Sequence, residues 1–71
     1  MTPIQQSIQA AAAAYIEEEG AGWGPTVDEL SEILNEDKKT IKGCVGSLVA
    51  AGLGYTEHDG RHSDCYYPLS K

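Results

Sequence analysis

Positive charge is missing from the first half of this chain: of its 71 residues, the first 37 include neither lysine nor arginine. Seven acids (Glu17, Glu18, Glu19, Asp28, Glu29, Glu32 and Glu36) lie before that point. The formal charge is −7 over residues 1–36 and +1 over residues 37–71, giving a net −6. Such a balance argues against indiscriminate binding to nucleic acid, while leaving room for one locally basic face. Long apolar runs are lacking too. No stretch approaches the roughly 20 residues needed to cross a bilayer, and the N-terminus has no basic region leading into an apolar core, as a signal peptide would. Cys44 and Cys65 are the only cysteines and allow at most one bridge. We expect a soluble cytoplasmic protein with free thiols and no membrane partner. No nucleophile–base pair, phosphate-binding loop or carboxylate cluster is visible, so neither an enzyme nor a cofactor is expected. His58, His62, Asp64 and Cys65 are of metal-ligating type. They lack a second Cys-x-x-Cys half and need not converge across a hairpin, so no metal is expected.

What is present is a series of helix starts and stops. Thr2, Pro3 and Gln5 form a capping-box start, and Ile4, Ile8, Ala11, Ala12 and Tyr15 follow at helical spacing. The small side chains of Ala10–Ala14 would let another helix approach closely. Gly20 stops this helix, which we place at about 3–19. The run from Gly20 to Pro25 reads as a loop with one short strand around Trp23, whose ring covers a sheet edge. Thr26 and Glu29 form a second capping box, and Val27, Leu30, Ile33 and Leu34 give the stripe of a helix at about 27–34. Asn35-Glu36 makes a tight turn and Asp37 caps a third helix, about 38–51. Its inner face carries Ile41, Cys44, Val45, Leu48 and Val49. Residues 53–57 and 63–67 are strand-like, and Asp59-Gly60 between them is a hairpin signal. Pro68 should end the second strand. Tyr66 and Tyr67 point to opposite sides of it, so one should be buried and the other exposed, at a dimer contact. The expectation is a single α+β domain over 1–71, three helices and a C-terminal β-hairpin wing. A chain of this size buries only about 60% of its unfolded surface and is marginal without help.

Leu30-Ser31-Glu32-Ile33-Leu34, the turn Asn35-Glu36-Asp37 and the stretch from Lys38 to Leu53 resemble the helix-turn-helix of winged-helix transcription regulators. Thr2-Pro3, Gln5-Gln6, Ile8, Tyr15-Ile16-Glu17-Glu18 and Gly24-Pro25-Thr26-Val27-Asp28-Glu29-Leu30 are similar to the N-terminal DNA-binding domain of LexA-type repressors. The resemblance implies a three-helix core with a β wing and helix 3 in the DNA major groove. That family's protease domain has no counterpart here, so the resemblance implies neither self-cleavage nor the dimerisation that domain provides. The size suggests a stand-alone, phage-like DNA-binding domain.

Lys38, Lys39 and Lys42 sit in the first turn and a half of helix 3, where cations oppose the helix macrodipole. A local rule broken at one place points to function. In the functional reading the three lysines contact phosphates, and Thr40 or Lys42 reaches base edges, with Ser47 on the same rim. In the plain reading they form a solvated patch. Gly43 and Gly46 each cost roughly 0.8–1 kcal/mol of helix propensity relative to alanine. They suit close approach of the backbone to DNA, or a smooth seam for a partner helix. Arg61, at the wing tip, is a further phosphate contact. Two functions stand: a DNA-binding transcription regulator or repressor, as a homodimer on double-stranded DNA, and an acidic winged-helix interaction module or inhibitor that binds a protein instead. A structural subunit that dimerises through the alanine-rich face of helix 1 is a third.

Overall fold

The computed structural model describes residues 1–20, 22–58 and 64–69. The elements run α1 (Pro3–Glu19), α2 (Val27–Leu34), α3 (Lys38–Ala50), β1 (Gly54–Glu57) and β2 (Cys65–Pro68). Each helix begins where a side chain satisfies free backbone N–H groups. The Gln5 N–H donates to Thr2 Oγ1 at 3.2 Å, and the Thr2 N–H donates to Gln5 Oε1 at 2.9 Å. Thr26 and Glu29 repeat the pattern at 3.2 and 2.8 Å. Asp37 accepts from the Lys39 N–H at 3.0 Å. The ends follow the same logic. Gly20 closes α1 at φ 114°, and its N–H donates to the Ile16 carbonyl at 2.8 Å. Asn35 closes α2 in the left-handed region at φ 53°, a conformation asparagine tolerates. That residue reverses the chain so sharply that Asp37 already caps α3.

The three helices and the hairpin enclose one apolar cluster. Ile8 and Ala12 come from α1, Leu30 from α2, Ile41, Val45 and Leu48 from α3, and Tyr66 from β2. Ala12 is fully buried, so the short side chain at that turn lets α1 close on its neighbours. β1 and β2 pair antiparallel, with Gly54 opposite Pro68 and Glu57 opposite Cys65. Pro68 is thus the last residue of β2 and not the one after it. The Asp59-Gly60 turn lies outside the described residues.

Three expectations fail on packing. No strand forms around Trp23; a single antiparallel bridge joins Thr26 to Cys65 instead. Trp23 is 53% exposed and lies against Gly20, at the end of α1. Its indole ring stands beside the cap of α1. Ile33 and Val49, assigned to inner faces, are 51% and 38% exposed. The core is narrower than their helical spacing suggests, because α2 has only two turns and Leu53 takes space beyond α3. Tyr66 and Tyr67 are both buried, although they do face opposite sides. The far side of β2 is covered by the segment leading into α2. The Tyr67 hydroxyl donates to the Gly22 carbonyl at 3.0 Å, and its ring stacks on Tyr55 with centroids 5.2 Å apart. Glycine at position 24 permits this, since a Cβ there would lie 2.6 Å from the Tyr66 carbonyl oxygen and 2.9 Å from Tyr67 Cε1.

Tyr66 carries the polar connection of the core. Its ring lies over Gly54, where any side chain would collide with the phenol. Its hydroxyl donates to Gln9 Oε1, and Gln9 Nε2 donates to the Leu53 carbonyl at 2.9 Å. One amide thereby joins α1, the end of the α3 segment and β2. Burial pushes the Tyr66 hydroxyl above its usual pKa of 10.0. The neutral phenol is the form that fits, so this contribution is complete below about pH 10 and is lost as pH rises through the folded value.

Replacing Gln9 with leucine strands the buried Tyr66 hydroxyl, while the Leu53 carbonyl keeps the Leu69 N–H at 3.0 Å, and should lower stability by about 1–3 kcal/mol. Urea unfolding at neutral pH measures it. Tyr66→Phe should cost less, and its deficit relative to wild type should shrink above about pH 10, where the wild-type phenol begins to penalise the folded state.

Candidate nucleic-acid interface

The turn through Asn35 sets the first two turns of α3 beside the first turn of α2, and the hairpin returns alongside α3. Between these elements lies an open groove of about 740 Å³. Lys38, Lys39, Lys42, Gly46 and Val49 line it from α3, Val27 and Asp28 from α2, and Thr56 and Asp64 from the hairpin side. Val45 and Tyr66 reach its floor from the core. Helical geometry explains the α3 set. Lys38, Lys42, Val45 and Val49 recur at spacings of four, three and four residues, one stripe of the helix. Gly46 and Lys39 flank that stripe on its outer side.

The lysines do not share one electrostatic setting. Lys38 Nζ lies 3.5 Å from Asp28 Oδ1, with both side chains more than half exposed. Such a solvated pair is worth little, 0–1 kcal/mol at most. Among the described residues, Lys39 and Lys42 have no ion-pair partner. Asp37 is engaged as the cap of the very helix that bears them. On the hairpin side, His58 Nδ1 lies 3.3 Å from Asp64 Oδ1. The groove is therefore cationic on its α3 wall and carries one acid on each opposing wall.

Four of the residues singled out from sequence line the groove: Lys38, Lys39, Lys42 and Gly46. Thr40, Gly43 and Ser47 are exposed on α3 but do not line it. Arg61 and His62 lie outside the described residues. Val27, Asp28, Val49, Thr56 and Asp64 were not anticipated. Val49 repeats the Lys38–Lys42 spacing, and that was the available signal. The others join the groove only through the packing of distant elements. A Cβ at Gly43 or Gly46 would meet nothing within 4 Å, so neither glycine is required by a neighbour inside the molecule. Cys44 is partly buried, Cys65 is fully buried, and no disulfide joins them. Among the described residues, no group of three histidine, cysteine or acidic side chains is placed to hold a metal, and no helix is long and apolar enough to cross a membrane.

Three helices followed by an antiparallel hairpin make this a winged helix-turn-helix fold. A scan against models of protein families and searches of curated proteins and of solved structures found no match. The similarity to LexA-type repressors accordingly rests on the sequence stretches quoted above.

Among the described residues, the one ion pair from these lysines to another element is the solvated Lys38–Asp28 pair, which contributes little, and all three side chains oppose the α3 dipole. A variant with alanine at positions 38, 39 and 42 should fold and melt within a few degrees of wild type, or slightly above it. A large fall in melting temperature would mean that these side chains serve the structure.

Proposed function

We propose that the protein is a small transcription regulator that binds double-stranded DNA, presenting α3 to the major groove and the hairpin to the flanking backbone. The observation that carries this reading is the convergence of Lys38, Lys39 and Lys42 on one open groove, between α3 and the wing, in a winged helix-turn-helix fold. Three cations near a helix N-terminus cost the fold a little and gain it only the solvated Lys38–Asp28 pair. Phosphates would satisfy them, and each contact would release condensed counterions. Asp28 is 3.5 Å from Lys38 and gives way to a phosphate at small cost, because the pair is exposed. A homodimer on a two-fold site is the natural way for so small a surface to gather enough contacts.

The acids favour a second reading. Asp28 and Asp64 face the lysines across the groove, and the chain as a whole is acidic. A winged-helix module that docks on a basic protein, through the acidic faces of α1 and α2, has that charge pattern.

A salt series of binding to duplex DNA separates the two. With three phosphate contacts per chain, the logarithm of the affinity should fall against the logarithm of salt with a slope of roughly −5.4 for the homodimer, twice the roughly −2.7 of a single chain. Lys39→Ala or Lys42→Ala, each removing two contacts from the homodimer, should reduce the slope by about 1.8 and weaken binding to all sequences alike. Binding that ignores salt, or that survives alanine at all three positions, would sink the DNA reading. Absence of any DNA binding at low salt, together with capture of a basic protein, would favour the second.

A further inference from the structure

The groove has a part that phosphate binding leaves unexplained. Its charged residues stand along the rim, but between them the surface is apolar: Val27, Val45 and Val49 line it, with Gly46 one turn before Val49. Val49 is the anomaly. By its position in the sequence it belongs to the inner face of α3, yet it is 38% exposed and contributes to the groove instead. It stands on the same helical stripe as Lys38 and Lys42, about 10 Å along the axis from Lys42. At Gly46 the helix backbone is bare, with nothing within 4 Å of where a Cβ would be. A surface partner can therefore approach the helix closely beside the valine.

We propose that Val49 is a specificity-determining residue that packs on the C5-methyl group of a thymine in the major groove, with Gly46 giving the base edge room to approach. This rests on the DNA reading above. The methyl group is the one apolar feature that a base pair shows in the major groove, and an apolar side chain is its natural partner. The lysines fix the helix on the backbone and are indifferent to sequence. The valine supplies discrimination without a hydrogen bond, and without a polar group that the floor of the groove would have to satisfy.

The test begins with duplexes selected by the wild-type protein from a random pool. Affinity is then measured at fixed salt for the selected duplex and for copies in which each thymine in turn is replaced by deoxyuridine, which lacks only the methyl group. One such replacement should weaken wild-type binding about four-fold, the weight of one buried methyl. Val49→Ala should bind both duplexes equally, near the wild-type affinity for a copy with deoxyuridine at the contacted thymine of both half-sites. Val49→Thr keeps one methyl and the branched shape, and should retain part of the discrimination. Melting curves check that both variants fold. Salt-dependent binding with no recovered consensus overturns this inference alone. So does equal binding of thymine and deoxyuridine duplexes, or discrimination that persists in Val49→Ala. Loss of salt-dependent binding altogether overturns the DNA reading with it.

Discussion

The side-chain amide of Gln9 is the point on which the arrangement turns. It accepts from the Tyr66 hydroxyl and donates to the Leu53 carbonyl. Tyr66 is buried, so its hydroxyl would be costly to leave unpaired, while the Leu53 carbonyl also accepts from the Leu69 N–H at 3.0 Å. Through this amide α1 holds both ends of the wing: Leu53 where the chain leaves α3, and Tyr66 in the middle of β2. The hairpin alone is two short strands, too little to be stable in water. Its position relative to α3, and so the width of the groove between them, depends on this link and on the Tyr66 ring seated over Gly54.

The second constraint is the sharp turn between α2 and α3. Asn35 in the left-handed region and Asp37 as cap leave a single residue between them. The first turn of α2 and the first turn of α3 therefore lie side by side, which is how Asp28 reaches Lys38. A longer turn would separate them. The same geometry that gathers three lysines at one groove thus brings an acid with them. The cationic wall is thereby tempered.

Local signals made most of the fold legible. The capping boxes at Thr2 and Thr26, the stop at Gly20 and the cap at Asp37 each depend on residues within a few positions, and the helices lie where those residues put them. What failed was tertiary. That Tyr67 is buried depends on Gly22 and Gly24 crossing the far face of β2, a contact over more than forty residues of chain. Val49 and Ile33 have the spacing of core residues, and only the finished packing shows that the core stops short of them. In the groove the lysines were evident from their concentration in an acidic chain. Thr56 and Asp64 were not, because nothing in a strand's own residues tells which helix it will face.

On the proposed reading, one surface, the groove between α3 and the hairpin, receives duplex DNA. Backbone amide shifts of the labelled protein, followed by NMR during titration with a DNA duplex at low salt, test it most directly. The largest changes should fall on Lys38, Lys39, Lys42, Gly46, Val49 and Thr56, with α1 residues such as Glu17 and Glu18 unmoved. Changes centred on the acidic end of α1, or none at saturating DNA, would contradict it.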